Sequence, residues 1–259
     1  MINFYTFYSG SRGNCAFVSD GDTNILIDAG VSASRIVNSL KDIGFSPEEL
    51  DAVLVTHEHS DHVSGLKVLA DKFSIPVYAN ENTASKLMSS GFVSERQIRI
   101  IDSGSTFSLR SAEIRSFRTP HDSVESVGYV VRMDDKKIGV ATDTGCITKP
   151  MLSALANCEA VLIEANHDVE MLKTGKYPYY LKKRILSDNG HLSNENCAWL
   201  ATQLAMWGTK RIALGHLSEN NNTPEKAYLE AEKMLSENGF KIGTDVKLLV
   251  AEKSNICEI

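Results

Sequence analysis

The 259-residue chain has no C-x-x-C pair, no proline-rich linker, and no apolar run of the eighteen or so residues that span a bilayer. Its five cysteines, Cys15, Cys146, Cys158, Cys197 and Cys257, are odd in number and far apart. That spacing argues against a disulfide framework and a thiolate zinc site, and for reduced, mostly buried thiols. The opening "MINFYTFYSGSRGNC" lacks a basic start followed by an apolar block, so no targeting signal is expected, and a soluble, cytoplasmic protein without membrane contact is. Positive charge is also scarce. A net charge of −6 argues against broad adhesion to nucleic acid or membrane, yet leaves room for a local basic face. Internal repeats are missing as well: Gly-His-Leu-Ser occurs at 190–193 and 215–218, but one copy precedes a helical pattern and the other follows a strand.

What is present is 42% hydrophobic residues in a pattern that changes period along the chain, enough to bury the core of one α/β domain over residues 1–259. "INFYTFY", "CAFVS" and "NILIDAG", separated by "SGSRGN" and "DGDT", predict an antiparallel opening. Helical periodicity at "SASRIVNSLKDIGF" then alternates with the strands "DAVLVT" and "IPVYA", and strands return at "STFSLRSAEIRSF", "SVGYVVRM" and "KKIGVATD". The second half reads helix and strand again, through "TKPMLSALANC", "EAVLIEAN", "SNENCAWLATQLAMWG", "KRIALGH" and "TPEKAYLEAEKMLSENGF". Strand blocks with helices in both halves predict an αββα sandwich of two mixed β-sheets with outer helices.

All seven histidines stand beside polar or small residues at expected loop positions. The densest group is "VTHEHSDH", in which the strand "AVLVT" ends and His57, His59, Asp61 and His62 follow. Imidazole and carboxylate are ligands suited to zinc, manganese or iron(II). His57 and His59, two apart in an extended loop, can face one point, while Asp61 and His62, past the turn, can face a second. The zinc-protease pattern H-E-x-x-H is rejected, because Asp61 stands where its second histidine must fall.

His57-x-His59-x-Asp61-His62 resembles the H-x-H-x-D-H signature of the metallo-β-lactamase fold superfamily. The resemblance extends along most of the chain, to Asp28 in "LIDAG", His121 in "RTPHDS", Asp143 in "VATDTG" and His216 in "RIALGHLS". It implies two divalent ions, zinc, manganese or iron, one on His57, His59 and His121 and the other on Asp61, His62 and His216, with Asp143 shared and Asp28 supporting the loop from behind. Two such ions lower the pKa of a bridging water and clamp the oxygens of the hydrolysed centre, so the implied reaction class is hydrolysis.

The choice of substrate rests on other residues. Glu164 in "EANHD" and His191 in "NGHLS" look similar to a strand-end glutamate and a substrate histidine of superfamily phosphodiesterases, which puts Asp61, Glu164 and His191 among the catalytic residues. His191 also reads as a histidine ahead of a helix. Ser193, well placed as that helix's N-cap, is counted with the substrate contacts. His167 reads equally as a support for the site or as a loop histidine. Between Lys173 and Arg184 there are five basic residues, three tyrosines and no acid. Lys176, Tyr177, Lys182, Lys183 and Arg184 are therefore candidate nucleic-acid contacts, the alternative being a solvated helix face. "SGSRGN" offers backbone N–H groups near the metals, or only a hairpin turn. The whole pattern resembles the YycJ/WalJ-like subgroup, which implies a 5′-to-3′ exonuclease on double-stranded DNA. A hydrolase of a small thioester, lactone or cyclic phosphate and a non-enzymatic, metal-stabilised regulatory protein are the alternatives.

Overall fold

The change of period along the sequence corresponds to two seven-stranded sheets packed face to face. In the computed structural model, which describes residues 2–259, the first sheet contains β1 (Asn3–Tyr8), β2 (Cys15–Ser19), β3 (Asn24–Ile27), β4 (Ala52–Leu54), β5 (Val77–Asn80) and β6 (Ile98–Ile101). The C-terminal β14 (Cys257–Glu258) adds to its edge beside β1. The second sheet contains β7 (Thr106–Leu109), β8 (Ala112–Arg118), β9 (Val127–Met133), β10 (Lys136–Ala141), β11 (Ala160–Glu164), β12 (Arg211–Gly215) and β13 (Lys247–Val250), adjacent in chain order. Both sheets are mixed. Pairing is antiparallel from β14 through β1 and β2 to β3, and from β7 to β10; it is parallel from β3 to β6 and from β10 to β13.

Helices fill the connections: α1 (Ala33–Asp42), α2 (Ser60–Val63), α3 (Leu66–Phe73) and α4 (Glu81–Ser89) in the first half, then α5 (Lys149–Leu155), α6 (Val169–Thr174), α7 (Tyr179–Ile185), α8 (Asn194–Met206) and α9 (Pro224–Glu237) in the second. The layers follow from strand alternation. Ile25, Ile27, Ala52 and Leu54 pack between the sheets against Tyr129, Val131, Ile138, Val140 and Leu162. The intervening Leu26 and Val53 pack outward with Ile36 and Leu40 of α1 and Leu66 and Leu69 of α3. In the other sheet Val161, Ile163, Ile212 and Leu214 pack with Met151, Leu155, Leu200, Leu204 and Leu235 of α5, α8 and α9. The central strands are covered on both faces, which is why they read as unbroken apolar runs. Each fully buried Leu or Ile contributes about 1.5–3 kcal/mol.

The αββα architecture and the antiparallel opening are as expected. Periodicity does not reveal α4, α6, α7, β6, β13 or β14. Of these, β14 is two residues long, and α6 and α7 each bury a single residue, so none carries a repeating apolar signal.

The topology brings the C-terminal ends of β3, β4, β10, β11 and β12 to one rim, where the chain turns sharply. Asp28, Asp143 and His216, each just past a strand, have left-handed backbones with φ of 63°, 54° and 54°. Non-glycine residues adopt that conformation only where the surroundings over-determine it. The surroundings here are a mesh of backbone hydrogen bonds: Asn14 N to Asp61 O at 2.8 Å, Ala29 N to His62 O at 2.8 Å, Gly30 N to Asn14 O at 2.8 Å and Gly65 N to Ala29 O at 2.9 Å. Gly30 is required at its position, because a Cβ there would lie 1.7 Å from Asp61 O and 2.6 Å from Asn14 N. Gly30→Ala should therefore lower stability by about 1–3 kcal/mol, the usual cost of overpacking, read as a lower denaturant midpoint with an unchanged m-value.

Candidate metal centre

Three strand ends and one loop contribute side chains to one cluster. β4 leads into His57, His59, Asp61 and His62; the loop before β9 supplies His121; β10 leads to Asp143 and β12 to His216. The possible ligand atoms of His57, His59 and His121 all lie within 4.8 Å of one another, as do those of Asp61, His62 and His216. Asp143 stands between the two groups. Its Oδ1 is 3.7 Å from His121 Nε2 and 3.5 Å from His216 Nε2, and its Oδ2 is 3.1 Å from His62 Nε2. The structure thus brings together the seven residues that the family resemblance implies as ligands; His57, His62 and Asp143, and Asp143, Glu164, His191 and His216, also form groups of this kind.

The histidine tautomers are set from outside the cluster. Asp28 accepts from Thr56 N, from Thr56 Oγ1 and from His62 Nδ1, at 2.8, 2.8 and 2.7 Å. Thr56 Oγ1, having donated its proton, accepts from His57 Nδ1 at 3.0 Å. Gly190 O accepts from His121 Nδ1 at 3.1 Å, and Glu164 Oε1 from His216 Nδ1 at 2.8 Å. In His57, His62, His121 and His216, Nδ1–H thus points outward and the Nε2 lone pair points to the centre, the arrangement that acceptors behind the ring impose on metal-binding imidazoles. His59 turns its Nδ1 inward, 3.4 Å from His121 Nε2. His57 Nε2, His216 Nε2 and Asp143 Oδ2 are buried with no hydrogen-bond partner. Buried lone pairs without donors fit a cation.

The electrostatics agree. Burial opposes charge on Asp143, but His216 and His62 beside it hold its carboxyl well below the usual range. Burial likewise opposes charge on Asp61, yet His216 and His62 beside it keep its carboxyl low. His62 and His216 are drawn upward by Asp143 and their other carboxylate neighbours against the effect of burial, His216 to about 10. His57, deeply buried with His62 alongside, is pushed well down. Protons and metal ions compete for such nitrogens.

Glu164 has no exposed surface, and both its oxygens are engaged. Oε1 accepts from His191 Nδ1 at 2.7 Å as well as from His216, and Oε2 accepts from Thr144 N at 2.8 Å and Leu192 N at 3.2 Å. Burial would raise this carboxyl, but the two histidines outweigh it and hold it down to about 2. Glu164 is grouped with the catalytic residues by sequence; its place in the structure is behind the histidines, as their anchor. His191 stands at the opening, its side chain 19% exposed against 2% for His216, with its ring centroid 5.0 Å from that of His121. Asp61, 22% exposed, and His59 are ligand candidates that also reach the mouth.

Ser193 is the N-cap of α8, its hydroxyl accepting from Asn196 N. His167 is buried, its ring has no hydrogen-bond partner, and burial lowers it to about 4. Its backbone pairs with Ser193 and its carbonyl accepts from Asn194 N at 2.9 Å, which fixes the 191–194 segment. Arg184 of α7 pairs with Asp122, next to His121. Lys182 Nζ donates to Lys173 O at 2.6 Å, and Tyr177 OH accepts from Asn220 Nδ2 at 3.0 Å, so these two side chains are tied to the protein itself. No comparable contact is found for Lys176 or Lys183 among the described residues, whereas Tyr179 and Tyr180 are 82% and 74% exposed. Sequence reasoning misses Thr56, Gly190 and Asn14, whose Nδ2 reaches His62 Nε2 at 3.0 Å and Asp61 Oδ2 at 3.4 Å. Only the position of Asn14 in "SGSRGN" hints at any of them.

Comparison with known proteins shows the family and the fold. The chain is 42% identical to the exodeoxyribonuclease WalJ of Streptococcus pneumoniae, with 93% of this chain and 90% of that protein covered. It is 37% identical to the exodeoxyribonuclease YycJ of Bacillus anthracis, with 93% and 92% covered. Its fold matches the crystal structure of Zn(2+)-bound PqqB from Methylobacterium extorquens over the full length of both chains, with a TM-score of 0.72 at 16% identity. The model of the beta-lactamase superfamily domain matches residues 23–217, a span that runs from β3 to just past His216 and contains every candidate ligand; the protein belongs to the β-lactamase superfamily.

Proposed function

We propose that the protein is a metal-dependent phosphodiesterase that degrades DNA, acting from 5′ to 3′ on the double-stranded form. Residues 1–259 would work as one domain in the cytoplasm, a compartment that suits its five free cysteines. The observation that carries this reading is the conjunction of two ligand triads and a partly exposed histidine on a chain 42% and 37% identical to proteins named exodeoxyribonucleases.

His57, His59 and His121 would hold one divalent ion, Asp61, His62 and His216 the other, and Asp143 both. When bound, zinc, manganese or iron would supply Lewis acidity, lowering the pKa of water and stabilising charge on phosphate oxygens. The chain's own residues do the rest. Asp28 and Glu164 orient the ligand imidazoles from behind. Glu164 also fixes His191 Nδ1, so that Nε2 is turned to the opening, where it can give a proton to the departing alcohol oxygen. On α7, the exposed Tyr179 and Tyr180 stand beside Lys183 and Arg184 and would offer stacking and phosphate contacts at the edge of the opening, with Lys182 turned to Lys173 O.

End-labelled single- and double-stranded DNA and RNA, each incubated with zinc, manganese or iron, test the proposal. Degradation of duplex DNA from its 5′ end is expected; hydrolysis of small esters alone would sink it. His59→Ala and Asp143→Ala should lose bound metal, measured by elemental analysis, together with all hydrolysis. His191→Ala should retain metal and slow turnover by about 10²–10⁴-fold with little change in KM, the loss expected for a proton donor. Glu164→Gln, which anchors His216 more weakly, should reduce metal affinity by about 10–100-fold in a chelator competition.

A further inference from the structure

The loop Gly10–Gly13 contributes no side chain to the metal cluster, yet it borders a cavity of about 290 Å³ lined by Arg12, Gly13, Arg35, Glu219, Lys253 and Ser254. Small-ligand pockets begin at about this size. Three cations face one carboxylate there, in a chain whose net charge is −6. Glu219 pairs with Arg12 at 2.8 Å and with Lys253 at 3.5 Å, which pre-orients both, and the Arg35 guanidinium lies 4.3 Å over the ring of Tyr8. The loop is fixed. Gly10 N and O both bond to the Asn14 amide, at 3.0 and 3.1 Å, and a Cβ on Gly13 would lie 2.2 Å from Val31 Cγ1.

The cavity adjoins one particular end of the cluster. Asn14, next to Gly13, bonds to Asp61 O and reaches His62 Nε2, and Glu219 lies three residues past His216. It therefore flanks the Asp61–His62–His216 group, whereas α7, through Arg184 and Asp122, flanks the side of His121 and His59. A phosphodiester chain laid across the cluster would meet cations at both ends. Resting on the phosphodiesterase reading, we propose that the Arg12–Arg35–Lys253 cavity binds a second phosphate of the same DNA strand, either the 5′-terminal phosphate or an internal diester.

The test compares the wild-type protein with the triple variant Arg12→Gln, Arg35→Gln, Lys253→Gln. Binding is read by fluorescence anisotropy on duplexes protected by phosphorothioate at their first linkages and carrying a 5′-phosphate or a 5′-hydroxyl. Degradation of unmodified DNA is read relative to turnover of bis(p-nitrophenyl) phosphate, and circular dichroism reports the fold. Affinity should fall about tenfold or more, with a salt dependence shallower by about one unit of log–log slope for each phosphate no longer neutralised. A loss confined to 5′-phosphorylated ends identifies the terminal phosphate; an equal loss at both ends identifies an internal diester. If the triple variant is misfolded, Lys253→Gln and Arg12→Gln singly, both on exposed side chains, give the same reading with smaller loss. Unchanged affinity and salt slope, with wild-type DNA degradation intact, overturn the cavity assignment and leave the nuclease reading standing. A wild-type protein that turns over the small diester but neither binds nor degrades DNA overturns both.

Discussion

The site depends on a carboxylate that never reaches solvent. Glu164, the last residue of β11, accepts hydrogen bonds from two imidazoles and two backbone N–H groups. An ionised carboxyl buried without partners would cost several kcal/mol; with four donors it becomes a junction. Its donors come from the exit of β10, from the segment before α8 and from the exit of β12, so one side chain sets the mutual position of three stretches of chain. Asp28 does the same for the first sheet, where it grips Thr56 and His62. One buried acid per sheet, each taking an Nδ1–H, turns the Nε2 lone pairs of both layers toward a common centre. The interface between the sheets is apolar and non-directional, so it can bring the two rims close but cannot aim the rings.

This arrangement also explains the left-handed backbones. Asp28, Asp143 and His216 all reverse the chain within a residue or two of a strand end. A wider, relaxed loop would place their side chains further from the rim. The local strain, of order 1–3 kcal/mol per residue, is held in place by hydrogen bonds that fix the chain as it leaves each strand, such as Asp28 N to Leu54 O and His216 N to Ser9 Oγ, both at 2.8 Å. Ser9 thereby links the N-terminal loop to the last ligand candidate in the chain.

Much of this was legible in the sequence, for reasons that can be named. Residues that must sit at strand ends stand next to apolar runs, so "AVLVTHEH", "VATDTG" and "RIALGH" each announce a strand and the polar side chain it delivers. The two Gly-His-Leu-Ser copies separate on the same ground: His216 follows β12 and joins the cluster from within, while His191 precedes α8 and stands at the opening. What stayed hidden depends on partners distant in sequence. Nothing local marks the Gly190 carbonyl as the acceptor for His121, 69 residues away, or Asn14 as the neighbour of His62, 48 residues away. Glu164 was visible as a strand-end acid, but whether it faced the opening or lay behind the histidines could not be read without the position of both rings. The basic stretch was visible as composition only, and tertiary contacts divide it: Lys182 and Arg184 turn to protein partners, while Tyr179 and Tyr180 stand in solvent.

That division bears on how an acidic protein can engage a polyanion. At physiological ionic strength charges are screened over about 8 Å, so a distant acidic surface contributes little to the potential in a cleft, and the groups at its edge decide. Here the cluster concentrates carboxylates that would repel a phosphate on their own, and on the proposed reading the divalent ions they bind reverse that sign. Cations of the protein then matter only beyond the cluster, at its two ends. Arg184 is held by Asp122 at one end, and Arg12 and Lys253 by Glu219 at the other. Each acid lowers the local positive charge but keeps flexible side chains in place, so less rotamer entropy is lost when a phosphate arrives. On the proposed reading the ion pairs at the rim act as pre-organisation, and discrimination for a phosphodiester strand would arise from the spacing of charges along it, which net charge does not describe.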